Sequence, residues 1–413
     1  MNINYRHTNL ACYIGYVTQA LVITLPSLLF TVFFNKFGIS LSELGLLITL
    51  NFCVQILMDI SSAAFITKTG YRPPAVVAHF CAFLGLVGLA VLPDIMPNHA
   101  YIAVCLPIFF SSIGGGLIEV LISPITDALP SKEKSASMSL LHSFFCWGQL
   151  ATVLLSTLYL HIFGIERWYI LPVLWSVIPL FNTFYFLKVP LPKPQSEEKS
   201  MSLRELFKTR LFVVFLILML CSGASEQSMS QWASLFAETG LKVSKTVGDL
   251  LGLSLFAVLM GITRLFYGVW GEKIDLSKFI FYSAALCIAS YLLTVFSPYP
   301  LLSLLGCALC GLSVGIMWPG TFSLASERYP SGGAAMFALL AFSGDIGCSI
   351  GPGMVGALSD AYQKAVSLEL FAGDPVQQGL KFGLAAAIIF PVVLIVSIAV
   401  IKKNNQRADR KPL

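Results

Sequence analysis

The sequence predicts an all-α membrane protein: twelve transmembrane helices in two pseudo-symmetric halves of six. Three observations lead there. Charged residues make up 11% of the 413-residue chain, where soluble globular domains carry about a quarter. The apolar residues, 56% of the total, gather in long stretches with short charged ones between them. Finally, a polar segment at 189–209, "VPLPKPQSEEKSMSLRELFKT", divides the chain into two parts that echo each other.

A span needs about 20 mostly apolar residues. Segments 9–34, 42–66, 73–93, 100–127, 134–161 and 168–188 qualify in the first half. Segments 210–236, 246–270, 277–296, 300–326, 333–358 and 378–401 qualify in the second. The first segment is too long for a signal-peptide core and lacks an A-x-A cleavage site, so it reads as a retained span. The expected organisation is a six-helix half at 1–188, a cytoplasmic linker at 189–209, and a second half with its tail at 210–413. Within the linker, "SLRELFKTR" is expected to form a short amphipathic helix on the inner membrane surface.

Loop charge sets the orientation. With the N-terminus inside, the outer loops hold only Lys36, Arg167, Lys242, Lys245, Lys364 and Lys381, and Arg264 lies within a span. The remaining Lys and Arg residues fall on the inner side, so both termini are expected in the cytoplasm of a plasma membrane, a bacterial inner membrane. Topology therefore accounts for the net charge of +5, and no nucleic-acid partner is expected. The ten cysteines all lie in apolar stretches, which excludes an extracellular disulfide framework. Cys307 and Cys310 read as two small apolar residues one helical turn apart.

The halves repeat at their loops. Asp59, Ala63, Thr67 and Lys68 close span 2, and Arg264, Gly268, Glu272 and Lys273 close span 8 at the same offset. The ends of spans 4 and 10 also correspond, as "DALPS" at 127–131 and "ERYPS" at 327–331. Parallel six-span halves are the repeat of a large transporter class. On these residues the whole chain resembles the major facilitator superfamily. That family's span 2–3 loop reads G-x-x-x-D-R-x-G-R-[RK]; here Lys68, Gly70 and Arg72 match, while Ala63 and Thr67 depart. The resemblance implies latching or gating roles for Asp59, Lys68, Arg72, Arg264, Glu272 and Lys273. Within the superfamily, Glu119 with Ser123, and "LHSFFCWGQL" at 141–150, are most similar to the fucose-permease group of sugar:proton symporters. A span 1 acid typical of that pattern is missing; Thr18, Gln19, Thr24 and Asn35 are among the uncharged polar residues in or near that span.

Ionisable groups inside a membrane are costly and default to function. Asp59, Glu119, His142, Glu226, Arg264 and Asp345 stand out. Glu119 and His142 lie roughly 8–9 Å inward of their span midpoints, at about 1.5 Å per residue, on consecutive spans that can meet. A carboxylate beside an imidazole makes a proton-sensitive pair. Glu119, His142, Glu226 and Asp345 are therefore the candidate proton-coupling residues, with Glu119 foremost; a buried structural acceptor is the other reading of Glu119. In "SGASEQSMSQW" at 222–232, Gln227, Ser230 and Gln231 share one helix face. Amides both donate and accept, which suits a polyhydroxylated solute, although helix-to-helix bonding uses the same groups. Trp318, before Pro319 and Gly320, can stack on a sugar ring or simply pack. Gln19, Asn51, Gln55, Trp147 and Gln149 complete the candidate solute-binding set.

No Walker A sequence, metal-ligand cluster or nucleophile elbow occurs, so an enzyme or ATP-driven pump is not expected, nor a cofactor. The leading expectation is a monomeric secondary transporter working by alternating access. It would import a small polar solute such as a sugar with protons or sodium. The alternative is a proton-driven exporter of drugs or lipophilic metabolites.

Overall fold

The computed structural model describes residues 4–130, 134–192, 201, 203–271, 274–367 and 374–409. Among them, twelve helices are long and apolar enough to cross a membrane. The first six are Tyr5–Phe37, Leu41–Ser61, Arg72–Ile95, Pro97–Asp127, Leu140–Phe163 and Ile170–Lys188. The second six are Arg210–Gly240, Lys245–Trp270, Leu276–Phe296, Pro300–Arg328, Met336–Ala365 and Pro375–Lys402. These are spans 1 to 12. They coincide with the predicted segments; span 11 runs one to two turns further, to Ala365. In the linker, Leu203–Lys208 is helical, with Leu206 buried and Phe207 exposed.

The chain divides into two compact units. The first contains Met1–Ser196 and Val243–Leu250; the second contains Glu197–Lys242 and Leu251–Leu413. In the first, span 1 lies at the centre: its apolar window is 83% buried, against 39–44% for spans 2, 3, 5 and 6. Span 4 is next, at 61%. In the second, spans 7 and 10 hold that position at 67% each.

Lipid tails give apolar side chains no reason to leave them, so close backbone packing drives helix association here. Gly114, Gly115 and Gly116 show how. Successive helical residues turn by about 100°, so each faces a different neighbour. A Cβ on Gly114 would meet the Ala78 carbonyl of span 3 at 2.6 Å. One on Gly115 would meet Val22 of span 1 at 3.3 Å, and one on Gly116 the Gln55 Cα of span 2 at 2.8 Å. In the second unit, Gly344, Gly347 and Gly351 of span 11 lie against span 7: a Cβ on Gly351 would meet the Ala224 carbonyl at 2.8 Å.

Span 10 is broken, running as Pro300–Val314 and Met317–Arg328. Pro319 lacks an N–H and its ring collides with the carbonyl four residues back, at Gly315. The break therefore precedes the proline. Beside it, the Leu312 carbonyl accepts from the Thr263 hydroxyl of span 8 at 2.8 Å. Asp275, where the family's loop signature has a glycine, caps span 9 by accepting from the Lys278 N–H. That bond, with the Lys278 ammonium beside it, holds the Asp275 carboxyl below its ordinary range.

Candidate functional site

In the first unit the polar side chains of spans 1, 2 and 4 converge. Gln19 is 4% exposed and donates its Nε2 to Glu119 Oε2 at 2.9 Å. Asp59, of span 2, acts on Glu119 electrostatically. One turn along span 1 from Gln19, Tyr16 shares a 2.8 Å hydrogen bond with Ser123, itself one turn along span 4 from Glu119. The Tyr16 ring lies against His142 of span 5, with centroids 5.1 Å apart. Span 1 thus reaches both members of the predicted Glu119–His142 pair. Two turns along span 2 from Asp59, Asn51 accepts from Ser112 at 2.7 Å. Between these two levels Gln55 is fully buried against Gly115 and Gly116.

In the second unit the carboxylate finds a cation. Glu226 is 8% exposed and lies 3.6 Å from the Arg264 guanidinium of span 8. An amide ladder continues from it. Gln227 donates to Glu226 at 3.3 Å, and Gln231 donates to Gln227 at 3.0 Å. The Ser230 hydroxyl also points to Gln227 Oε1, at 3.5 Å. Trp318 lies half-buried with its ring over Gly344, and Asp345 beside that glycine is buried.

The remaining predicted residues are dispersed. Trp147 is 46% exposed, whereas Gln149 is buried. Lys68 is exposed. Arg72 donates to the carbonyls of Phe186, Leu187 and Val189, where span 6 ends and its carbonyls lack in-helix donors. Glu272 and Lys273 lie outside the described residues.

Two polar clusters escaped the sequence reading. His79 of span 3 is fully buried; its Nδ1 bonds the Ala75 carbonyl, and its Nε2 meets the Asn182 amide of span 6 at 2.8 Å. The rule that flags intramembrane ionisable groups would have found it. Asp249, fully buried in the first unit, accepts from Thr157 at 3.0 Å and pairs with Lys245 at 3.2 Å. Its position four residues after a lysine was the visible signal.

Twelve apolar helices with carboxylates and amides buried among them define an integral, multi-pass membrane protein. The sequence profile of the Major Facilitator Superfamily matches residues 12–352, and the chain belongs to that family. Its members are transporters and not enzymes. No curated protein matches the sequence. Among solved structures, the chain is similar to a bacterial homologue of the human lysosomal transporter Spinster. The TM-score is 0.76 at 15% identity, over 97% of each chain. It is similar to a nucleoside transporter, with a TM-score of 0.74 at 14% identity over 95% of this chain and 99% of that one. It is also similar to the fucose:proton symporter of E. coli, with a TM-score of 0.64 at 15% identity over 96% and 99%. At these identities the likeness concerns the fold.

Proposed function

We propose that the protein is a proton-coupled symporter that imports a small polar solute, such as a sugar, by alternating access. It would work as a monomer in a bacterial inner membrane with both termini cytoplasmic. Glu119 carries the coupling proton. The observation behind this role is its setting: an intramembrane carboxylate with the Gln19 amide on one oxygen and the Asp59 carboxylate nearby. Glu226, its charge offset by Arg264, is better suited to orient the amides of Gln227 and Gln231 towards solute hydroxyls. A fucose:proton symporter and a nucleoside transporter share this fold, and sugars and nucleosides are hydroxylated solutes of the class this amide ladder suits.

The test is Glu119→Gln in proteoliposomes, after a counterflow screen of sugars and nucleosides against cationic drugs has supplied the solute. Proton-driven uptake should be lost while solute exchange persists. Full uptake with an unchanged pH profile sinks the assignment, and exchange of drugs alone favours an exporter.

A further inference from the structure

Spans 8, 9 and 10 of the second unit leave an apolar groove of about 370 Å³ between them. Thr263 and Ser283, both buried, form its floor, and the exposed side chains of Ile262, Phe266 and Tyr282 stand at its rim. Short side chains between long ones make the channel. The rim carries no charge, and on membrane spans such a surface meets lipid tails.

The groove has one polar end. On span 9, Lys278, Tyr282 and Leu286 are spaced by four residues and share a face. Tyr282 and Leu286 line the groove, and Lys278 stands one turn beyond them, in the first turn of the helix. On span 8, Phe266 and Trp270 share a face in the same way, with ring centroids 4.9 Å apart, and Trp270 ends the helix. Tyr, Trp and Lys at the ends of spans sit at the level of lipid headgroups. Lys278 pairs with Asp275 at 3.1 Å, and the exposed Lys402 of span 12 also acts on Asp275 electrostatically. Among the described residues at this end, two ammonium groups therefore share one carboxylate, and positive charge is in excess. Deeper in the groove, the Thr263 hydroxyl donates to the Leu312 carbonyl at the break in span 10.

We propose that this groove holds one acyl chain of an anionic phospholipid, whose phosphate lies beside Lys278 and Lys402. Any lipid-facing surface accepts a chain, but few offer a channel that starts under surplus ammonium groups. A basic cluster at a membrane surface attracts anionic headgroups, whereas a zwitterionic lipid brings an ammonium group of its own. The bound chain rests on Thr263, the residue that secures the Leu312 carbonyl where span 10 breaks. The site does not depend on which solute or ion the protein carries.

The experiment is native mass spectrometry of the full-length protein, delipidated in detergent and titrated with phosphatidylglycerol or with phosphatidylcholine of the same acyl chains. The wild type should hold one phosphatidylglycerol roughly tenfold more tightly than phosphatidylcholine. The double variant Lys278→Gln with Lys402→Gln should hold the two lipids about equally. Ser283→Trp, which fills the floor, should weaken both by roughly fivefold or more in protein that keeps its gel-filtration peak. Glycerol phosphate, a headgroup without chains, should not compete. Equal retention of the two lipids by the wild type overturns the site, as does competition by glycerol phosphate. An unchanged preference in the double variant, or unchanged retention with the floor filled, overturns it too. The two wild-type measurements decide the matter even if a variant fails to fold.

Discussion

Asp59 and Arg264 occupy the same position in the two repeats, yet they give the carboxylate near them opposite company. In the first unit Glu119 accepts from the Gln19 amide and lies within electrostatic reach of the Asp59 carboxylate. In the second, Glu226 lies 3.6 Å from a guanidinium. One duplicated position thus sets an acid near one carboxylate and a base near the other. The halves share an architecture and differ in the charge that stands near this carboxylate.

The sharpest way to break this contrast is to remove the guanidinium. Arg264→Ala leaves Glu226 buried beside its amides without a counter-charge, and losing one partner of a buried pair costs about 3–5 kcal/mol. A large fall in the detergent melting temperature is expected, with most of it recovered in the double variant Arg264→Leu with Glu226→Leu. A single variant that melts with the wild type would show that the pair carries no weight.

A smaller effect sharpens the comparison on the first side. Gly116→Ala sets a methyl 2.8 Å from the Gln55 Cα and 2.9 Å from the Met58 Cβ, where backbone must move. Overpacking of this kind costs about 1–3 kcal/mol. Gly115→Ala has the Val22 methyl at 3.3 Å as its tightest contact, with the Gln55 amide at ordinary distance beyond it, so its melting temperature should fall less. Equal losses would mean that span 2 is not held against span 4 at this point.

The smallest effect lies at the membrane surface of the second unit. Asp374 caps span 12 by accepting from the N–H groups of Val376 and Gln377, and it pairs with Lys242 at 3.0 Å. The Gln377 N–H and the Lys242 ammonium hold its carboxyl below the ordinary range. A carboxyl depressed in the folded state contributes stability above its unfolded pKa, about 4 for Asp, and loses it as the pH falls through the folded value. Asp374→Ala should therefore cost about 1 kcal/mol near neutrality. Melting curves of variant and wild type should converge in acid; a pH-independent gap would assign the cost to packing.

The spans were legible because hydropathy is a property of each residue against its solvent, and needs no knowledge of neighbours. The repeat was legible for a related reason: Asp59 and Arg264 keep a fixed offset along the chain. Pairings were not. Whether Glu119 meets Gln19, or Glu226 meets Arg264, depends on the rotation of separate helices, which spacing along one helix does not set. The amide ladder on span 7 was readable because Gln227 and Gln231 are neighbours on one helix. His79 was readable as an ionisable group within a span, but its partner was not: the Asn182 amide that satisfies it stands 103 residues away.

The three glycines of span 4 impose a constraint on how this chain can change over time. Each points at a different partner, so together they fix the rotational phase of the helix as a key fixes a shaft. Substitution elsewhere in the span is tolerable one face at a time. Insertion or deletion of a single residue is different: it swings everything beyond it by about 100°. Each glycine would then face another's neighbour, and Glu119 would leave Gln19 and Asp59 together. Length, more than identity, is what this segment has least freedom to alter.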